Sequence, residues 1–523
     1  MVACVAASGR PCGATPVDPP PIDREFRGAW IATVANIDWP SKPGLSSRQQ
    51  KEELTRLFDV ATELNLNAII LQVRPACDAF YRSKHEPWSQ WLTGAIGKRP
   101  RPAYDPLEFA VEQAHQRGLQ LHAWFNPYRA SHPTGSGKLS AKHVSKKMPE
   151  AVVEYGKYLW LDPGHPTAEQ HTLDVILDVV RSYDVDGVHF DDYFYPYPVT
   201  ETVDGGAGSD DNGLSDTGER RTRVKPFPDD RSWALYLEQT SPSDRLSRDD
   251  WRRENVNRLV RRVAEEVKRA KPEVAFGISP FGIWRPGHPS SVVGFDPYEK
   301  LYADSKLWLQ EGWVDYAAPQ LYWPIRSQGQ SYPLLLDWWR RQNTRNRLLL
   351  VGNFTSRIGP KPNGSSVWSA AEVVDQVRLT QSFKGVGGNV HFSMKALAEN
   401  RDGIADRLRA GPYAKPALPP AYDLLAAQGN PPKKPEATLS RSTLRIRPAE
   451  GQSTQLLAIQ VYAGGSWIDF IVPGQTEKFD LSAALADGAE WERVAVRAID
   501  RLGRESPAAL FDTKRLSRRP SIR

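Results

Sequence analysis

Between residues 27 and 410, short and nearly continuous apolar runs alternate with stretches in which apolar positions recur every three to four residues. The first pattern is that of strands buried on both faces, and the second that of amphipathic helices packed over them. The chain therefore reads as successive parallel βα units. Strands are predicted at 28–34, 68–73, 119–125, 187–190, 274–279, 314–319, 348–353 and 389–392. The helices between them carry start and stop signals of their own. Leu54, Leu57, Phe58, Ala61 and Leu64 share one face behind a Ser46-Ser47 cap, and Asp105-Pro106 opens a second helix that Gly118 closes. Further helices are predicted at 168–183, 251–271, 298–310, 332–342, 370–381 and 395–409.

Eight strands alternating with eight helices predict an α/β fold, a (β/α)8 TIM barrel over residues 24–412, inside that fold's range of about 200 to more than 400 residues. An open doubly wound sheet would place a Gly-rich phosphate loop after its first strand, where this chain has Val34-Ala-Asn-Ile-Asp-Trp-Pro40. Past the barrel, prolines punctuate a linker at 413–435. Short apolar runs at 456–462, 467–472 and 491–499 then predict a small β-sandwich over 436–513, and residues 493–507 look like the last strands and turn of a fibronectin type III module. Residues 1–23 read as a disordered leader or tether and 514–523 as a basic tail.

Composition narrows the class. With 40% hydrophobic residues, 10% aromatic residues and 17 Trp, the chain can bury a large core. The basic residues behind the net charge of +6 are dispersed among 62 acids and gather only in short patches, such as Arg515 to Arg523, so no nucleic-acid partner is expected. Three cysteines, Cys4, Cys12 and Cys77, supply no disulfide framework, and no apolar run is long enough to span a membrane. Met1-Val-Ala-Cys4 has the form of the end of a lipoprotein signal, which would attach a lipid at Cys4 and make 16–22 a tether. The apolar core of such a signal is missing, so a leader with an incidental cysteine is the alternative.

In a barrel the C-terminal strand ends share one mouth, and here they are polar and aromatic. The expected substrate-contacting residues are Gln72 and Arg74, then Trp124, Asn126 and Tyr128, with Asp162 in a following loop. The later strands add His189 and Tyr193, Trp284, Gln320, Tyr322, Trp323 and Asn353. Such groups suit hydrogen bonding to hydroxyls and stacking on pyranose faces. Glycosidic hydrolysis needs a proton donor and a charged carboxylate. The candidates are Asp38, Asp78, Asp191 and Asp192. Asp191 is the expected charged member, in phase with His189 along the strand. Its partner is Asp192, Asp38 or Asp78, and sequence does not choose among them or between retention and inversion.

A divalent cation held by His189, Asp191 and Asp192 is the rival chemistry, but no second histidine stands at ligand spacing, so no metal or other cofactor is expected. The Gly/Asp-rich stretch 205–213 lacks the glutamate of a calcium loop and reads as an insertion.

The ordered stretches Arg24-Glu-Phe-Arg-Gly-Ala-Trp30, Asn36-Ile-Asp-Trp-Pro-Ser41, Gln72-Val-Arg-Pro75, Asp78-Ala-Phe-Tyr81, His122-Ala-Trp-Phe-Asn-Pro-Tyr-Arg129, Leu161-Asp-Pro-Gly164, Asp186-Gly-Val-His-Phe-Asp-Asp-Tyr193, Ser279-Pro-Phe-Gly282 and Pro319-Gln-Leu-Tyr-Trp323 carry a resemblance. By them the chain resembles the glycosyl-hydrolase-like family 10 group of bacterial envelope proteins. The resemblance implies a (β/α)8 glycosidase, commonly exported or lipid-anchored, with some relatives acting on peptidoglycan glycan strands stripped of their peptides. The family pattern falls on Asp38, Asp78, Asp191 and Asp192, and many members carry a fibronectin-like module. This chain departs from the pattern in a longer loop at 199–230 and in the missing signal core. The expectation is an extracytoplasmic, monomeric glycoside hydrolase acting on a bacterial polysaccharide. The alternative is a non-catalytic carbohydrate-binding or scaffold protein that keeps the sugar cleft.

Overall fold

The computed structural model describes residues 18–135, 137–203, 221–359, 368–422, 425, 430–447, 449, 454–485 and 490–512. Cys4, Cys12, the 205–213 stretch and the basic tail lie outside the described residues. The chain divides into two compact units, Arg24–Gln428 and, separately, Gly429–Arg523 together with Met1–Asp23. Among the described residues no helix is long and apolar enough to cross a membrane.

The larger unit is a closed parallel barrel. Its strands are β1 (Phe26–Ile31), β2 (Ala68–Arg74), β3 (Gln120–Phe125), β4 (Gly187–Phe190), β5 (Ala275–Ile278), β6 (Tyr316–Ala317), β7 (Leu348–Asn353) and β8 (Gly388–His391), and β8 closes on β1. Large rings fill the interior, and glycines paired with them on the neighbouring strands make room for them. Phe26, His122 and Tyr316 meet with ring centroids 5.4–6.2 Å apart. A Cβ on Gly187 would stand 2.3 Å from the His122 ring, and one on Gly277 2.0 Å from Tyr316. The barrel is a packed core, not a pore.

Outside it, Ser47–Glu63 begins at a capping box formed by Ser46 and Gln49, and Pro106–His115 at Asp105. Two helices expected to be continuous are broken. Residues 298–310 form Pro297–Lys300 and Ser305–Glu311, because Tyr302 takes a positive φ of 53° and Asp304 caps a new start. Residues 395–409 form Met394–Ala398 and Ile404–Ala410 around Asn400 and Asp402, at φ 46° and 50°. Unanticipated elements are the hairpin Val152–Tyr155 with Tyr158–Leu161, the pair Thr200–Val203 with Arg221–Val224, and the helix Asp230–Gln239.

The expected linker begins as part of the barrel unit. Tyr413, Ala417 and Leu418 are buried, Asn67 Nδ2 donates to the Ala417 carbonyl at 3.1 Å, and Leu418 bridges to Arg24. In the smaller unit, strands Glu436–Ser440, Thr443–Arg447 and Lys478–Asp480 form one sheet. Ser466–Pro473, Leu456–Ala463, Trp491–Ile499 and Ala509–Asp512 form the other. Leu444, Leu457, Ile459, Val494 and Val496 form the core of this sandwich-like unit. Residues 18–23, expected in the leader, belong to it: Gln460 Nε2 donates to the Pro20 carbonyl at 3.0 Å.

Candidate active site

β4 ends at Phe190 and is followed by Asp191 and Asp192. Neighbouring side chains leave an extended segment on opposite sides, so the two carboxyls reach different partners. Asp191 turns toward β3, where Asn126 Nδ2 donates to its Oδ2 at 2.5 Å, and the Tyr193 N–H donates to its Oδ1 at 3.2 Å. Asp192 turns the other way. Tyr197 Oη donates to its Oδ2 at 2.5 Å, and Gln320 Nε2 to its Oδ1 at 3.3 Å.

The bond to Asp191 is the end of a chain of amides crossing the first four strands. The backbone N–H groups of Thr33 and Val34 donate to Gln72 Oε1 at 2.9 and 2.8 Å. A backbone N–H only donates, so Gln72 must present its oxygen there and its nitrogen to the other side. Gln72 Nε2 accordingly donates to Asn126 Oδ1 at 2.6 Å, which leaves Asn126 Nδ2 facing Asp191. Arg129 Nη2 adds a second donor to Asn126 Oδ1 at 2.8 Å.

Both acids are buried, at 6% and 5% exposure. Burial raises the Asp191 carboxyl to about 7, helped by the charge of Asp192 and opposed by Arg129, the Tyr193 amide and Asn126. Burial likewise raises Asp192, opposed by Tyr197 and Gln320. Two adjacent carboxyls in a low dielectric do not both ionise cheaply, and the pair keeps a proton toward neutral pH.

Two members of this constellation are not singled out by sequence reasoning. Arg129 anchors through Nε to the Pro75 carbonyl at 2.8 Å and lies 5.2 Å from the Tyr193 ring centroid. Tyr197 stacks on Phe295 at 5.2 Å while holding Asp192. The available signals were the three-residue spacing from Asn126 to Arg129 and the aromatic run that Tyr197 closes.

The other expected residues divide by position. Tyr322 stacks on Phe354 at 4.7 Å, and its phenol is raised by burial and then by Asp192 and Asp191, which sets it beside the pair. Trp323 is half-buried with its ring 5.7 Å from Phe281. Trp124 is 5% exposed, and its indole N–H has no hydrogen-bond partner among the described residues.

His189 is in phase with Asp191 but one layer deeper, fully buried, so it does not open onto the mouth. Trp30 Nε1 donates to its Nε2 at 3.1 Å, and Nδ1 bonds the Tyr316 hydroxyl at 2.9 Å. Burial, and then His122, hold its pKa well below the ordinary value, leaving it neutral. Arg74 is also internal, paired with buried Glu86 at 2.6 Å and donating to the Asn126 and Pro127 carbonyls at 2.6 and 3.0 Å. Asn353 faces the helices and bonds Gln376, Tyr332 and Asn389. Tyr128 is fully buried, and Asp162 accepts from Ser232 and from the Gly164 N–H. Trp284 donates to Asp304 at 3.0 Å and stacks on Trp338 at 5.8 Å, away from the acids' partners.

Asp38 and Asp78 make no hydrogen bond to the acidic pair among the described residues. Asp38 accepts from the Ala32 N–H at 2.7 Å, Ser393 Oγ at 2.6 Å and the Lys395 N–H at 2.9 Å, tying the end of β1 to the segment after β8. Burial still raises it to about 6. Asp78, 1% exposed and raised by burial to about 7, bonds Ser89 and the Ala76 N–H and lines a neighbouring pocket. Among the described residues no group of three His, Cys, Asp or Glu side chains could hold a metal ion.

A closed (β/α)8 barrel whose mouth gathers buried acids, amides and aromatic rings has the architecture of a barrel glycoside hydrolase. Residues 25–370 match the family model Glycosyl hydrolase-like 10, and the chain belongs to that family. It is 42% identical over 426 residues to Glycosyl hydrolase YngK of Bacillus subtilis (strain 168), covering 80% of this chain and 77% of that one. It is 33% identical over 393 residues to Glycosyl hydrolase DigH of Escherichia coli (strain K12), covering 70% and 82%. Among solved structures it is similar to the PgaB (BpsB) glycoside hydrolase domain from Bordetella bronchiseptica, with a TM-score of 0.43 and 13% identity over 74% of this chain and 98% of that chain. The protein is a glycoside hydrolase.

Proposed function

We propose that this hydrolase cleaves the glycan strands of peptidoglycan, with Asp191 as the charged carboxylate and Asp192 as the proton donor. The observation that carries the assignment is the difference between their partners. Both Asp191 oxygens accept from donors whose direction is fixed, an amide oriented through Gln72 and a backbone N–H, and such bonds favour the charged form. Asp192 faces the Tyr197 hydroxyl, which can rotate from donor to acceptor. A proton on Asp192 therefore still finds an acceptor, the Tyr197 oxygen. Asp192 would protonate the leaving glycosidic oxygen while Asp191 faces the positive charge growing at the anomeric carbon. The unpartnered Trp124 N–H would be satisfied by a substrate oxygen.

The choice of peptidoglycan follows from the resemblance to envelope proteins and from the polar, aromatic mouth. On the same footing the protein is an exported monomer, with lipid attachment at Cys4 and a fibronectin type III module built from the smaller unit's two sheets. Purified protein should release reducing ends from peptidoglycan glycan stripped of peptides. Asp191→Asn and Asp192→Asn should each abolish that release with the circular-dichroism spectrum unchanged. Full activity in either variant overturns the role assigned to that acid.

A further inference from the structure

A pocket of about 270 Å³ lies one residue away from the Asp191 network on two separate loops. Arg129 is anchored on the Pro75 carbonyl, and the pocket wall begins at the next residue of each segment, Ala76 and Ala130. The volume is just under the range of about 300 Å³ and above that holds a drug-sized molecule, which fits one sugar ring and not a chain. Aromatic rings lead from the acids toward it. Tyr193 lies under Arg129, the Tyr158 phenol is among the groups acting on Tyr193, and Tyr158 meets His132 on the pocket wall edge-on at 5.7 Å.

The lining is polar in a way that suits a substituted sugar. Asp78 is almost fully buried in it, with its carboxyl held by the Ala76 N–H and Ser89. Ser131 Oγ accepts the Leu159 N–H at 2.8 Å, so its own proton is available to an acceptor in the pocket. The Gln90 amide lies under Gly135 and Gly137, so close that a Cβ on Gly135 would stand 2.3 Å from its Nε2. The glycine admits the amide to the wall.

Lys157 supplies the only ammonium of the lining and has no ion-pair partner among the described residues. It sits in the two-residue turn of the hairpin Val152–Tyr155 with Tyr158–Leu161, where Gly156 takes φ +61°. A glycine at the first position of such a turn is what a tight hairpin turn of this kind requires. The turn places Lys157, whose side chain is exposed, at the pocket rim.

We propose that this pocket is a second sugar subsite, which holds an N-acetylhexosamine bearing a free carboxylate, with the ring's hydroxyl and amide groups on Asp78, Gln90 and Ser131 and the carboxylate on Lys157. This rests on the peptidoglycan reading above, in which strands without peptides expose the lactyl carboxylate of each N-acetylmuramic acid. A peptide joined there would remove the charge, so the subsite distinguishes stripped strands from peptide-bearing ones.

The test is calorimetric binding to the full-length Asp191→Asn protein of a tetrasaccharide alternating N-acetylglucosamine and N-acetylmuramic acid. The same tetrasaccharide with its carboxylates converted to methylamides is the comparison. The carboxylate form should bind about tenfold more tightly than the methylamide. Adding Lys157→Ala should erase that difference while leaving methylamide binding unchanged. Equal affinity for the two ligands, an undiminished preference after Lys157→Ala, or no binding at all overturns the subsite. Turnover by the wild-type protein is measured in parallel. Lys157-dependent binding without turnover refutes the hydrolytic reading alone, and turnover without a Lys157-dependent preference refutes the subsite alone.

Discussion

Asn126 Nδ2 donates to Asp191 Oδ2 at 2.5 Å, and which end of the Asn126 amide faces the acid is decided two strands away, at the backbone N–H groups of Thr33 and Val34. The chain Thr33–Gln72–Asn126–Asp191 has one direction, because its first donor cannot reverse. It presents a hydrogen-bond donor to Asp191 whether or not substrate is bound, without reorganisation at the moment of reaction.

Asn126→Ala removes that donor and leaves Asp191 with the Tyr193 amide. A hydrogen bond to a charged group contributes about 1.5–3 kcal/mol, so kcat should fall about ten- to a hundredfold. The lost bond had lowered the Asp191 pKa, so its removal raises it further. The acid limb of the pH profile of kcat/KM, which requires Asp191 charged, should move to higher pH. Gln72→Leu should act in the same direction more weakly, because Arg129 still donates to Asn126 Oδ1. An acid limb that stays in place in Asn126→Ala refutes the charged role of Asp191.

Tyr197→Phe tests the other acid. The Tyr197 hydroxyl lowers the pKa of Asp192, so the variant should raise it. Loss of the Asp192 proton ends activity on the alkaline side, and that limb should move up in pH while the acid limb stays. The rate at the optimum should fall by less than tenfold, since the proton donor itself remains. Rate measurements from pH 5 to 9 check it, and a downward shift of the alkaline limb contradicts the assignment.

The parts of this site that were legible in the sequence are those set by periodicity. Apolar runs mark each barrel strand, and the polar residues Gln72, Asn126, Asp191, Asp192 and Gln320 at or just past strand ends do meet, Gln72 through Asn126 with Asp191 and Gln320 with Asp192. Depth and phase are less legible. His189 and Asp191 share a phase, yet the two-residue offset sets His189 about 7 Å deeper in the barrel. Asn353 follows inward-facing Gly352 and so points outward among helices, a parity that a polar residue at a strand end does not reveal. The breaks at Tyr302 and Asn400 were hidden because apolar spacing continues across residues whose backbone reverses. The direction of the amide chain needs coordinates, since nothing in the letters Gln and Asn says which end faces which neighbour.

Stability should separate Asp191 from Asp38, although burial raises both. A carboxyl whose folded pKa lies above its unfolded value binds its proton more tightly in the folded state. Its contribution to stability is full below about pH 4 and is lost as pH rises through the folded value, about 7 for Asp191. Asp191→Asn removes that loss, and its one oxygen can still accept from Asn126, but its NH2 then faces the Tyr193 N–H at every pH, at a constant cost of about 1–3 kcal/mol. From pH 4 to pH 8 the variant should therefore gain about 1 kcal/mol or more on wild type. Asp38→Asn carries a similar constant cost, because its oxygens accept from two backbone N–H groups and Ser393 and its NH2 must face one of those donors. Its gain with pH should be smaller, since burial raises Asp38 to about 6 and Asp191 to about 7. Urea unfolding at pH 4 and pH 8 measures both gains. A stability difference for Asp191→Asn that does not move toward the variant between pH 4 and pH 8 would mean that Asp191 is not held in an unfavourable site, and the case for an acid kept there for catalysis would fall.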